Sequence, residues 1–219
     1  MVKKTASKVR LLGRVLIVLA ILCAVLHIGF TLIATHQPAS QLARATPMFD
    51  LDNEHNVPAA FTGMLLGMAV LAAFVLATKK DTIQHKINWF LLSAFFLYLG
   101  FDELVGIHEQ TAEGVRKLLN IKDGSFLYHA WILPVLLVVI AVGAVIFLLR
   151  NRKKLITKQQ KHILFTLGIL IVGDVLLESL GTQAYAHPLL YKLGPVLLEE
   201  MFEIGMISYV LYRLVGYND

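Results

Sequence analysis

The sequence predicts an all-α integral membrane protein, a single polytopic domain over 1–219 built as a six-transmembrane-helix bundle with the N-terminus and C-terminus cytoplasmic. Three observations predict it. The chain is 57% hydrophobic, with a mean hydropathy of +0.69, and only 16% of its residues are charged, against about 25% in soluble domains. Six apolar runs reach or approach the roughly 17–25 helical residues that cross a hydrocarbon core of ~30 Å. The basic residues alternate between dense and sparse connections, as topology signals do.

The spans are expected near 15–35, 58–78, 87–107, 127–149, 163–182 and 194–214. The first follows Lys3, Lys4, Lys8, Arg10 and Arg14, and its apolar run is too long for a cleaved signal peptide, so it reads as an uncleaved anchor. The second opens at Pro58 and is followed by Lys79, Lys80 and Lys86. The third ends in acids, and the polar stretch HEQTAEGVRKLL after it extends that helix or lies along the membrane surface. The fourth starts beside Tyr128, His129 and Trp131, and six basic residues from Arg150 to Lys161 follow it. The fifth carries Asp174 and Glu178. The sixth follows Pro195 and is interrupted by Glu199, Glu200 and Glu203, which lower its hydropathy and leave an interfacial helix as the competing reading. Fifteen of the twenty Lys and Arg residues then fall on the cytoplasmic side. That split requires an even number of crossings and points to a multi-pass protein of the cell membrane, of bacterial inner-membrane type.

Several classes are excluded at this stage. The basic clusters explain the net charge of +5 without a nucleic-acid-binding face, so the bilayer is the expected partner and nucleic acid is not. Cys23 is the sole cysteine, which rules out an intramolecular disulfide and a Cys-based zinc site. No phosphate-binding glycine loop or nucleophile elbow is present.

The chemistry lies in the carboxylates. Asp102, Glu103, Glu109, Asp174, Glu178, Glu199, Glu200 and Glu203 all fall in or at the outer end of spans three, five and six. At about 100° per residue, Asp174 and Glu178 share one helix face and the three glutamates of span six share another. If span three stays helical, Asp102, Glu103 and Glu109 share an arc with Gly106. A carboxylate near mid-bilayer costs ~2.5–3.5 kcal/mol, and no outer-half Lys or Arg within the spans offsets these. Bound divalent cations, shared protons or a water-filled cavity are the three resolutions. Glu199 and Glu200 also suit the first turns of a helix through its dipole, and Glu109 suits headgroup water. His27 reads as a satisfied core histidine. His36, His55 and His187 read as loop residues, and His85 and His162 lie on the cytoplasmic side.

Acids and a histidine converging from antiparallel helices resemble the carboxylate-bridged dimetal bundles, although this chain has no Glu-x-x-His and carries more acids than such a site uses. The segment FDELVGIHE, with Asp102, Glu103, His108 and Glu109, resembles an Asp-Glu-x4-His-Glu signature of uncharacterised bacterial multi-pass membrane proteins, a likeness of about ten residues that implies no activity.

The leading expectation is a membrane metalloprotein. Asp102, Glu103, Glu109, His129, Asp174, Glu178 and Glu203 would hold one or two divalent metal ions, Fe, Mn or Zn ahead of Mg or Ca because a nitrogen donor is available. Glu199 or Glu200 would act as general base in a metal-dependent hydrolase or oxidoreductase acting on a lipid or other apolar substrate. The alternative is a proton- or cation-coupled membrane transporter using the same acidic cluster. A third expectation is an accessory subunit whose acids pair with a partner's basic residue.

Overall fold

A computed structural model describes residues 2–121, 156–181 and 187–216, and every regular element among them is helical. Helix α1 spans Val2–His36; a loop with a 3-10 turn at Ala43–Met48 leads to α2, Val57–Thr78. After it come α3, Ile83–Val105, and the short α4, Ile107–Leu119. The chain resumes with α5, Lys158–Gly181, and then α6, Pro188–Tyr191, which runs through a π-helical turn at Lys192–Val196 into α7, Leu197–Val215. The fourth expected span, 127–149, and with it His129, lies outside the described residues.

Among the described residues, four helical segments are long and apolar enough to cross a membrane: Ser7–His36, Val57–Thr78, Ile83–Val105 and Lys158–Glu178. Their length and composition are those of membrane-spanning helices. Helix α7 forms where the sixth span was expected but is not among the four, because Glu199, Glu200, Glu203 and Arg213 sit within its nineteen residues. Exposed Leu11, Ile17, Val18, Ile21 and Val25 cover the outer face of α1, a surface suited to lipid tails rather than water.

Helix α7 is the hub of the bundle, packing against α1, α2 and α5. Its Ile204, Ile207, Val210, Leu211 and Leu214 are buried and meet Leu65, Leu66, Ala69 and Ala73 of α2 in one core. Helices α2 and α3 form a tight hairpin, with Trp89 and Phe96 of α3 fully buried and the Ser93 hydroxyl donating to the Val70 carbonyl at 3.0 Å. Asn56 starts α2 by accepting from the Ala59 N–H, and Thr82 starts α3 by accepting from that of His85, the side-chain caps that unpaired first-turn amides require.

Two glycines shape the acidic end of the bundle. Gly106 takes φ +64° and closes α3, a left-handed turn that glycine adopts without steric cost. The helix therefore does not persist through His108 and Glu109, which belong to α4, so the continuous helix on which a shared arc of Asp102, Glu103 and Glu109 depended is not formed. A side chain at Gly106 would also strike the Glu54 carboxylate folded over it. Gly173 lies directly under the Phe202 ring, which lets α5 and α7 approach at that level. Gly173→Ala should destabilise the protein by about 1–3 kcal/mol through overpacking, and Phe202→Leu in the same chain should recover most of the loss, as read by thermal melting in detergent.

Candidate functional site: a carboxylate cluster

The close approach of Gly173 and Phe202 decides which side chains meet, since Asp174 and Glu203 are their next neighbours in sequence. Asp174 lies within electrostatic range of Glu203, Glu199, Glu178 and Glu103. Glu200 in turn lies within range of Glu203, Glu103, Glu199 and Asp52. One group of carboxylates is thus drawn from α3, α5 and α7 and joined by a loop acid. All six helical members are half-buried, and Asp174 Oδ1 is buried without a hydrogen-bond partner.

This places Glu103, Asp174, Glu178, Glu199, Glu200 and Glu203 together, as the helix faces imply. Asp102 is one turn from the exposed Tyr98 ring and interacts with it electrostatically, while Glu103 is the α3 acid within range of both Asp174 and Glu200. Glu109 lies beyond the turn at Gly106 on α4. Among the described residues no three His, Cys, Asp or Glu side chains stand close enough together to hold a metal ion. The donor chemistry suits a hard divalent cation, but the carboxylates are spread around the cluster instead of converging on one point.

A second polar constellation adjoins the first. His27, fully buried on α1, accepts the Leu51 N–H at Nδ1 and directs Nε2 at the Lys192 carbonyl, both at 3.0 Å. The first bond makes Nδ1 the unprotonated nitrogen and Nε2 the donor, which is the satisfied core histidine expected from its position in span one. Lys192 Nζ contacts Asp50 and lies 3.9 Å from Asp52, and the Tyr191 hydroxyl donates to Asp52 at 3.2 Å. Asn56 donates to the Asp50 carbonyl at 2.5 Å, so the residue that caps α2 also clasps the loop.

Asp50, Asp52, Glu54 and Lys192 were not among the expected site residues. They sit in a loop and a helix turn, where charged side chains are ordinarily solvated. The available signal was the alternation DLDNE immediately before the α2 cap, three acids on a segment too short to disperse them.

Burial pushes the Asp52 carboxyl above the usual aspartate range; the Lys192 charge opposes this, the Asp50 charge adds to it, and the Tyr191 hydrogen bond opposes it. Glu113 shows the reverse on the exposed face of α4, where the Lys117 hydrogen bond at 2.5 Å and its charge hold the carboxyl below the usual range. That pair is solvent-screened and adds little.

These features define the class: an all-α membrane protein with a carboxylate cluster between three helices and a polar network at its rim. Residues 15–215 match the DUF8692 model, a domain of unknown function, and the chain belongs to that family. No curated protein and no solved structure matches it.

Because the Asp52 carboxyl is raised, the folded state holds its proton longer than the unfolded chain does, and stability falls as pH rises from the unfolded value through the folded one. Asp52→Asn should therefore raise the melting temperature by a few degrees at neutral pH. The gain should vanish below about pH 3, where the unfolded aspartate is also protonated.

Proposed function

We propose that the protein is a six-span, proton- or cation-coupled transporter with both termini cytoplasmic, in which the cluster of Glu103, Asp174, Glu178, Glu199, Glu200 and Glu203 faces the outside and exchanges shared protons for an incoming cation. The observation that carries this reading is Asp174, whose electrostatic neighbours among the described residues are four carboxylates, Glu203, Glu199, Glu178 and Glu103. Like charges held together out of water do not all stay ionised. Protons satisfy such a group without demanding three ligands at one point, and among the described residues no three His, Cys, Asp or Glu side chains come that close together.

A second reading is a metalloprotein acting as a hydrolase or oxidoreductase on a lipid or small apolar substrate. It is favoured by the lack of any Asp or Glu deeper than the cluster in α1, α2, α3, α5 and α7, which leaves the acids in a blind recess. On this reading Asp174, Glu178, Glu203 and Glu103 would close on a divalent ion, His129 and Glu109 are the expected further ligands, and Glu199 or Glu200 would serve as base.

Three measurements separate these readings. Alkaline phosphatase fused at Gly216 should be inactive and at Lys122 active; the opposite pattern removes the outward placement of the cluster. In proteoliposomes, an imposed cation gradient should drive proton movement that Asp174→Asn reduces at least about tenfold. For the metal reading, purified protein should contain Fe, Mn or Zn in stoichiometric amount, and chelator should lower its melting temperature, by several degrees for an ion bound about a hundredfold above its Kd. Metal content with no gradient-driven proton movement overturns the transport reading.

A further inference from the structure

The end of the bundle remote from the carboxylates carries a charge with no acid to meet it. Where α5 begins, Gln159 donates from Nε2 to the Arg213 carbonyl of α7 at 2.9 Å, and Arg213 Nη2 donates to Gln159 Oε1 at 3.5 Å. Arg213 Nη1 donates to the Tyr209 hydroxyl at 3.2 Å and to His162 Nε2 at 3.4 Å, while that hydroxyl and Nε2 stand 2.8 Å apart. An arginine only donates, so His162 Nε2 is an acceptor with the ring proton on Nδ1, and the Tyr209 hydroxyl gives its own proton to the imidazole. Every hydrogen-bond partner of the half-buried guanidinium is therefore neutral, and among the described residues Arg213 forms no ion pair. The surroundings add charge of the same sign. Lys158 is exposed one turn before His162, and Gly13 of α1 packs against the Tyr212 ring, which brings the turns carrying Arg10 and Arg14 to this end. No Asp or Glu occurs in α1, in 157–173 or in 204–216.

We propose that Arg213, held by Gln159, Tyr209 and His162, is a binding site for the phosphate of an anionic phospholipid headgroup at the inner end of the α5–α7 seam. A guanidinium has five N–H groups, and three of those on Arg213 are engaged. One on Nε and one on Nη2 remain, and two N–H groups on adjacent nitrogens are what a pair of phosphate oxygens takes. The depth fits. The membrane-crossing segment Lys158–Glu178 starts one residue before Gln159, so the site lies at the level of the headgroups, where phosphate is the abundant anion. Charge selects among lipids, because basic side chains without an acid favour a headgroup of net negative charge over a zwitterionic one, whose ammonium meets its own sign. A guanidinium withdrawn from water without a counter-ion is costly, and a bound phosphate removes that cost while touching the side chain that ties α7 to α5. Gln159 lies roughly 22 Å along α5 from Asp174, so the inference goes beyond both readings of the carboxylate cluster and depends on neither.

Thermal melting of the full-length protein in an uncharged detergent, with lipid titrated in, tests it. Dioleoyl phosphatidylglycerol should raise the melting temperature of the wild type by several degrees at about a hundredfold above its Kd, as binding to the folded state alone requires. Dioleoyl phosphatidylcholine and inorganic phosphate at the same concentration should each give less than about a third of that shift, since one lacks net charge and the other lacks the acyl chains that hold it at the membrane surface. Arg213→Gln should weaken the phosphatidylglycerol response at least about tenfold in apparent Kd, through loss of the charged fork. Arg213→Lys keeps the charge without the fork and should also weaken it, by a smaller factor. Lys161→Gln removes the same charge from an exposed position on α5 and should leave the response within about twofold, as an exposed and screened charge does. Equal shifts from the two lipids overturn the proposal, and inorganic phosphate matching phosphatidylglycerol overturns the lipid as its ligand. Equal losses in Lys161→Gln and Arg213→Gln overturn it too, because they show diffuse attraction and no site. Should Arg213→Gln fail to fold, Arg213→Lys still decides: a lipid response unchanged from the wild type excludes the forked contact.

Discussion

A carboxylate that leaves water must keep a proton, find a cation or retain solvent, and much of the acidic end of this bundle is arranged around that constraint. Asp174 and Glu178 on α5, Glu199, Glu200 and Glu203 on α7 and Glu103 on α3 are brought together by helices that share an apolar core with α2. Between membrane helices, where lipid tails are as apolar as the core, close van der Waals packing supplies the cohesion. That cohesion holds the acids in proximity against their repulsion, so the fold supplies the energy that makes the cluster chemically distinctive.

The nearest base in this region shows the same constraint handled differently. Lys192 approaches the acids closely but is taken up by Asp50, with Asp52 at 3.9 Å. Its charge is thereby applied to the loop acids. The π-helical turn at Lys192–Val196 puts that lysine, its carbonyl and Tyr191 within reach of both α1 and the loop. Single π turns inserted into helices are often found at functional sites, and here the turn joins the polar network to the helix that carries three of the acids.

Much of this architecture was legible in the sequence. Hydropathy marks α1, α2, α3 and α5 because lipid contact requires nearly continuous apolar composition, and helical periodicity puts Asp174 with Glu178 and Glu199 with Glu203 on common faces. Three features were not legible. The break at Gly106 separates Glu109 from Glu103, since one glycine inside a helical pattern signals a left-handed turn no more strongly than a packing contact. The choice of Glu103 over Asp102 depends on the rotation of α3 against α2, set by contacts such as Ser93 to Val70. The loop acids escaped because charge in a connection normally means solvation, whereas Thr46, Phe49 and Leu51 anchor this one on α1.

The contact between Gly173 and Phe202 gives the cluster its depth as well as its composition. Asp174 and Glu203 are the deepest acids of their helices, and the Phe202 ring closes the seam between α5 and α7 at their level. Beyond it the described spans contain no further carboxylate; the buried hydroxyls of Thr166 and Ser208 come next, and then His162, Tyr209, Arg213 and Gln159 at the basic end. His162 bonds Tyr209 at 2.8 Å and Gln159 bonds the Arg213 carbonyl at 2.9 Å, so the seam is fastened at its far end and sealed by one aromatic ring in the middle. On the proposed transport reading, a cation would meet the carboxylates first and the Phe202 ring second. Transport requires α5 and α7 to part at that ring, while a metal-dependent reaction requires them to stay joined. The mechanical state of this single seam separates the two chemistries that the acids support.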